Sequence, residues 1–239
     1  MCGIAGWSDF RDELENRGEI MRKMRQSITH RGPDASGDFA DRHCRLSHTR
    51  LAVIDVENGA QPMSSGCFTI VYNGELYNTA ELRAELLKKG CAFSTHSDTE
   101  VLLKAYIAWG EDCLLKLNGI YAFAVWNSAE QTLFMARDRI GVKPFFYYLY
   151  DGGLIFASEI KSLLAHPYVR PVLDEEGAAS LLMLGPARKG GMGVFRGIEE
   201  LKPGECAVFT EGKLSKRAYW SLTAKPHTES LSDTVEHLH

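Results

Sequence analysis

At 239 residues, 45% hydrophobic and 24% charged, the chain has the make-up of one large globular domain or one and a half small ones, with ample length for a core. A net charge of −4 without a basic run argues against a nucleic-acid partner, and no apolar stretch approaches the ~20 residues that span a bilayer. Charges begin at Asp9 with no apolar h-region behind them, so no signal peptide is read either. The cysteines, Cys2, Cys44, Cys67, Cys91, Cys113 and Cys206, form no Cys-x-x-Cys pair and read as reduced thiols of a cytoplasmic protein. His30, His43, His48 and His96 are scattered singletons, so no metal site is expected.

The chain opens Met1-Cys2-Gly3-Ile4-Ala5-Gly6. Methionine is trimmed when the next side chain is small, which would leave Cys2 with a thiol and a free α-amine. An α-amine titrates near ~7.7–8.0, against ~10.4 for a lysine ammonium. Such a residue supplies both nucleophile and base. The alternative is a buried structural cysteine at an ordinary start. Ile4 and Ala5 anchor the segment as a strand.

Over 19–29, Ile20, Met21, Met24 and Ile28 recur at helical spacing and predict a core-facing helix, ended by His30-Arg31-Gly32-Pro33-Asp34. Arg31 and Asp34 make this turn either a salt-bridged loop or a rigid element beside the first strand. Residues 44–55 alternate as a strand with Arg50 inside the apolar run. A guanidinium there needs a carboxylate, from the protein or from a ligand. A strand over 68–72 runs into Asn73-Gly74-Glu75-Leu76-Tyr77-Asn78. That hexapeptide reads as a β-turn, or as a carboxamide beside a glycine amide, both donors for a developing oxyanion.

Asn78 and Glu81 have the spacing of a capping box that opens a helix through Leu82, Leu86 and Leu87, stopped by Gly90. Ser97-Asp98-Thr99-Glu100 is a second capping box. Its Asp98 suits the first turn of a helix and is equally available to a substrate ammonium. Strands follow over 119–127, 132–138, 144–150 and 154–157, with Phe145-Phe146-Tyr147-Tyr148 read as sheet packing and Arg137-Asp138-Arg139 as a charged loop fixing the turn into Gly141. Helices are expected over 159–164 and 174–184, a long glycine-rich loop over 185–197, and a hairpin of 206–210 with 213–219. Residues 224–230 have linker composition, and Ser230 and Asp233 open a further helix. The expected domains are 1–222, then 223–239 as a linker and the start of a truncated second domain.

Several segments occur together in one order: Met1-Cys2-Gly3-Ile4, Arg31-Gly32-Pro33-Asp34, Arg50-Leu51-Ala52-Val53-Ile54-Asp55, Tyr72-Asn73-Gly74-Glu75 and Ser97-Asp98-Thr99-Glu100. Behind them come Asn118-Gly119-Ile120-Tyr121-Ala122-Phe123-Ala124, Arg137-Asp138-Arg139-Ile140-Gly141-Val142-Lys143-Pro144 and Ala157-Ser158-Glu159-Ile160-Lys161. The set resembles the glutaminase domain of glutamine-dependent asparagine synthetases, which are class II, N-terminal nucleophile amidotransferases. The likeness covers residues 1–222.

The resemblance implies an α+β fold, a four-layer αββα sandwich of two antiparallel sheets. It implies that Cys2 attacks the side-chain amide of L-glutamine, releases ammonia and forms a thioester that water hydrolyses. Asn73 and the Gly74 amide would form the oxyanion hole. Arg50 would hold the substrate α-carboxylate, and Glu75, Asp98 and the carbonyls of Leu51, Val53 and Ile54 its α-amine. It implies no cofactor in this domain, with ATP and Mg²⁺ belonging to a C-terminal synthetase domain of the full-length chain. A homodimer is compatible with it.

Thr49, Ala52 and Asn127 depart from the usual residues of the family without touching the proposed nucleophile or oxyanion donors. Two other readings stay open: the amidotransferase domain of a different amide-forming synthetase, and a catalytically silent regulatory module, which a retained Met1 would favour.

Overall fold

Strict alternation along the strands decides the architecture. In the computed structural model, which describes residues 1–185, 187 and 189–237, twelve strands and seven α-helices follow in order. They are β1 (Gly3–Asp9), α1 (Gly18–Ser27), β2 (Ala35–Ala40), β3 (Cys44–Arg50), β4 (Met63–Ser65), β5 (Phe68–Leu76), α2 (Thr79–Lys88), α3 (Asp98–Trp109) and α4 (Cys113–Lys116). Then come β6 (Gly119–Asn127), β7 (Thr132–Arg137), β8 (Phe146–Tyr150), β9 (Gly153–Ala157), α5 (Ile160–Leu164) and α6 (Glu175–Leu184). The chain continues with β10 (Ile198–Glu200), β11 (Glu205–Thr210), β12 (Lys213–Ala218) and α7 (Leu231–His237).

The strands form two six-stranded sheets, ordered β10-β8-β9-β1-β3-β2 and β12-β11-β7-β6-β5-β4, with neighbouring strands antiparallel. Side chains on successive strand residues point to opposite faces, and each sheet buries both. On β6, Ala122, Ala124 and Trp126 join the core between the sheets, while Tyr121, Phe123 and Val125 join the core under α3. On β9, Leu154 and Phe156 face the second sheet, while Ile155 and Ala157 face α1 and α5. Three apolar cores therefore separate four layers, the α+β sandwich of two antiparallel sheets that the resemblance implies.

Several local expectations needed correction. Asn73-Gly74 is no turn: β5 runs on to Leu76, with Asn73 opposite Ala122 and Gly74 opposite Tyr121 on β6. Long-range pairing overrides the local Asn-Gly preference. The chain turns only at Tyr77-Asn78. The Asn78 side chain caps no helix amide; it bridges instead to the backbone at Lys116 and Asn118. Ser97 does cap α3, accepting from Glu100 N–H at 3.2 Å, but the Glu100 carboxylate turns to Ser94 and Thr95. The strand expected over 44–55 ends at Arg50, and β2, β4 and β10 had no clear sequence signal. Residues 186 and 188 of the expected 185–197 loop, and 238 and 239 of the last helix, lie outside the described residues. Among the described residues, no helix is long and apolar enough to cross a membrane.

Candidate active site

The start of β1, the loop after β3, the end of β5 and the first turn of α3 converge on a cavity of about 180 Å³. All the residues assigned to a site by the resemblance line it: Cys2, Arg50, Leu51, Val53, Ile54, Asn73, Gly74, Glu75 and Asp98. Sequence reasoning did not assign Met1, Gly59, Gln61, Tyr72, Thr99 or Lys143, which line it too.

Cys2 precedes β1 and is held from three sides. Its Sγ lies 3.6 Å from the Leu51 carbonyl, to which it donates, and accepts from Leu51 N–H at 3.4 Å. Its carbonyl accepts from Arg31 Nε at 2.9 Å, and Arg31 is braced by Glu159 at 2.9 Å. Arg31 therefore pairs with Glu159 and not with Asp34, whose carboxylate takes the Ala52 N–H. Burial opposes the charge on Glu159, but hydrogen bonds from Arg31, Lys161 and His30 outweigh it and bring the carboxyl down to about 2. Burial also pushes the Cys2 thiol above its ordinary range, against the Leu51 amide, the N-terminal charge and Arg50. At neutral pH the thiol is protonated, so a nucleophile at this position requires a base.

Arg50, the last residue of β3, is 7% exposed, and among the described residues no carboxylate pairs with it. The internal salt bridge that its strand position suggested is replaced by a backbone brace. Its guanidinium donates to the carbonyls of Val56 at 2.7 Å, Ile54 at 3.1 Å and Asp55 at 2.6 Å. A guanidinium carries five N–H donors, so these bonds fix the loop and leave two for a ligand. Of the carbonyls expected to meet an ammonium, Leu51's faces the Cys2 thiol and Ile54's already accepts from Arg50.

Asn73 is 1% exposed, and its buried Nδ2 has no hydrogen-bond partner among the described residues. A buried donor left unpaired costs about 1–3 kcal/mol, so its position needs an explanation. The preceding residue is clamped: Tyr72 N–H donates to Gln61 Oε1 at 2.6 Å, and Tyr72 C=O accepts from Gln61 Nε2 and His48 Nε2, both at 3.1 Å. Gly74 is required by crowding, because a Cβ would lie 2.5 Å from the Tyr72 ring and 2.8 Å from Tyr121 Cα. Across the cavity, Asp98 accepts from Tyr72 Oη at 2.9 Å and Leu76 N–H at 3.3 Å. Burial outweighs these bonds and holds the Asp98 carboxyl above its ordinary value, a state that a bound cation would relieve. Glu75 is exposed at the rim.

Residues 1–220 match the family described as the glutamine amidotransferase domain. The chain belongs to this family. It is 46% identical over 239 residues to glutamine-hydrolyzing asparagine synthetase 3 of Bacillus subtilis (strain 168), covering 98% of this chain and 39% of that protein. Glutamine-hydrolyzing asparagine synthetase 1 of the same strain is 44% identical over 168 residues, covering 69% of this chain and 27% of that one. The amidotransferase domain described here thus spans about two fifths or less of the length of these relatives. A solved glutamine phosphoribosylpyrophosphate amidotransferase of B. subtilis superposes with a TM-score of 0.65 over 92% of this chain and 49% of that one, at 20% identity. That likeness establishes the shared two-sheet amidotransferase fold.

Proposed function

We propose that this domain hydrolyses L-glutamine at Cys2 after Met1 is removed, and that the ammonia serves asparagine formation. The observation that carries the reading is the unpartnered Asn73 amide nitrogen in the same cavity as the Cys2 thiol. A donor buried without a partner before reaction, and used when an oxyanion forms, is preorganised transition-state stabilisation. The zwitterionic end of glutamine needs one cation and one or two anions, supplied by the two free N–H groups of Arg50 and by Asp98 with Glu75.

The α-amine of Cys2 takes the thiol proton as Sγ attacks the amide carbon, and the carbonyl oxygen becomes an oxyanion held by Asn73 Nδ2 and the Gly74 N–H. The α-ammonium returns that proton to the leaving nitrogen, the C–N bond breaks, and ammonia departs from a glutamyl thioester. Water then gives a proton to the α-amine and its oxygen to the carbonyl carbon. The C–S bond breaks, the thiol regains its proton, and glutamate is released. Residues of this chain and water complete the balance. ATP and Mg²⁺ belong to activation of the acceptor carboxylate, in a synthetase domain of the whole protein. The six free cysteines suit a cytoplasmic setting.

Intact mass, N-terminal sequencing and labelling with a glutamine-mimicking diazoketone test this. Loss of Met1 with a single adduct on Cys2, and no glutamate from a Cys2→Ala variant of unchanged melting temperature, are expected. A retained Met1, or a clean cysteine terminus that takes no label, would favour the silent module. For the whole protein, aspartate, ATP, Mg²⁺ and glutamine should yield asparagine; failure with aspartate alongside amidation of another acid would overturn the acceptor.

A further inference from the structure

The end of β7 and the loop after it, Arg137-Asp138-Arg139-Ile140-Gly141-Val142-Lys143, have been given no role at the site beyond the place of Lys143 in the cavity wall, yet two buried charged side chains set the loop's shape. The Asp138 carboxylate is fully buried and accepts from the N–H groups of Tyr121 at 3.3 Å, Ile140 at 3.2 Å, and Val142 and Lys143 at 2.9 Å. Arg137 donates to the carbonyls of Lys143 at 2.7 Å, Leu201 at 2.7 Å and Gly141 at 2.8 Å, and pairs with Glu200 at 2.9 Å. Lys143 is therefore gripped at its N–H by one ion and at its C=O by the other. What this loop delivers is the Lys143 side chain, 8% exposed, in the wall of the Cys2 cavity.

Lys143 Nζ lies 3.4 Å from Met1 Sδ, and among the described residues no carboxylate pairs with it. Burial and the Arg31 guanidinium hold its ammonium below the ordinary lysine value, against Cys2, Asp138 and Glu75. The other charges facing the N-terminus are balanced. Arg31, from the turn after α1, is matched by Glu159 before α5. With glutamine bound, Arg50 from β3 meets the substrate carboxylate, while Asp98 of α3 and Glu75 of β5 meet its ammonium. Tyr72, also on β5, stays neutral beside Asp98, its hydroxyl pushed far up by burial. Lys143 is left as the one of these cations without a direct ion-pair partner among the described residues, tempered only at a distance by Asp138 and Glu75.

We propose that Lys143 keeps the N-terminal base uncharged: once Met1 is gone, its ammonium faces the α-amine of Cys2 and disfavours a second positive charge there. This rests on the glutaminase reading above, and Lys143 acts through Cys2 rather than on the substrate. In general, two like charges facing each other across several ångströms at an effective dielectric constant of about 20 shift a titration by roughly one to two pH units once partial screening is allowed for. The repulsion lowers the α-amine's titration point. Removing the lysine charge therefore leaves the base protonated to higher pH.

The test is the pH profile of kcat for glutamate release by the full chain, with Met1 shown absent by mass, in wild type, Lys143→Met and Lys143→Arg. The acid limb of Lys143→Met should move up by roughly one pH unit or more, with activity recovering towards high pH. Lys143→Arg should hold the limb near its wild-type position. Lys143→Gln serves if the methionine variant fails to fold. A limb that stays in place while the rate falls by one factor at every pH overturns the proposal. If wild-type Cys2 takes no diazoketone label, the glutaminase reading falls and this inference with it. A labelled, active wild type with an unmoved variant limb sinks this inference alone.

Discussion

Replacing Asn73 by alanine separates catalysis from stability, because the two should move in opposite directions. Among the described residues the Nδ2 of Asn73 has no partner, although the residue is 1% exposed. Deleting an unpaired buried donor recovers about 1–3 kcal/mol. The void left by the small side chain opens onto the existing cavity, so the loss of packing is expected at the low end, about 1 kcal/mol. Stability should stay level or rise by up to about 2 kcal/mol, and in a domain of this size each kcal/mol raises the melting temperature by about 2–4 °C. Losing one oxyanion donor lowers kcat by about 10²–10³, or about 3–4 kcal/mol. KM should change little, since the donor is engaged fully only in the tetrahedral species. Glutamate release under saturating glutamine and a thermal melt on the same sample provide both numbers. A variant that melts several degrees lower yet turns over like wild type would refute the reasoning and make Asn73 a structural residue.

Arg50→Lys should raise the KM for glutamine by about 10- to 100-fold, because one ammonium cannot brace the 54–56 loop and grip a carboxylate as a guanidinium does; an unchanged KM would reduce Arg50 to a loop brace. Gly74→Ala should lower stability by about 1–3 kcal/mol in urea denaturation and depress kcat, since β5 and β6 must shift to admit the methyl group. Full stability would contradict the crowding at that position. His48 is buried, and desolvation, aided by Arg50 and opposed by its bond to Tyr72, pushes it down to about 4. The unfolded chain binds that proton first, near ~6.5, so stability falls as the pH drops from there towards 4, by about 2 kcal/mol at pH 5. His48→Gln, which keeps a donor for Tyr72, should lack that part of the slope. Parallel urea curves for both proteins from pH 8 to pH 5 would show the histidine is not the source.

The strands that bury both faces were the most legible elements: β6 was expected over 119–127 and is found there, because an apolar run bounded by turn residues needs no knowledge of its neighbours. β2 was illegible for the opposite reason. Ala35–Ala40 is largely exposed, and its extended state comes from pairing with β3. Asn73-Gly74 misled because a turn preference of local origin lost to pairing with β6. At the site, the charges proposed to meet an amino acid were readable as isolated anomalies, above all Arg50 in an apolar strand. The backbone brace that engages it was not, because main-chain carbonyls leave no trace in side-chain identity. Glu159 and Lys143 stood within conspicuous motifs, but their relation to Cys2 arises only when segments more than a hundred residues apart fold together.

The pairing of β1 with β9 also has a temporal side. The strand that Cys2 immediately precedes pairs along one edge with β3, which follows soon in the chain, and along the other with Gly153–Ala157. Synthesis proceeds at about 5–20 residues per second, so the second partner leaves the ribosome roughly eight to thirty seconds after the first residues do. Under the proposed reading, in which Met1 is removed, that removal can take place throughout this interval on a segment with one flank of β1 still unpaired. On that reading the late arrival of β9 sets a clock: trimming that finishes before it would act on a loose thread, and trimming that lags would work on a Met1 already docked against Lys143.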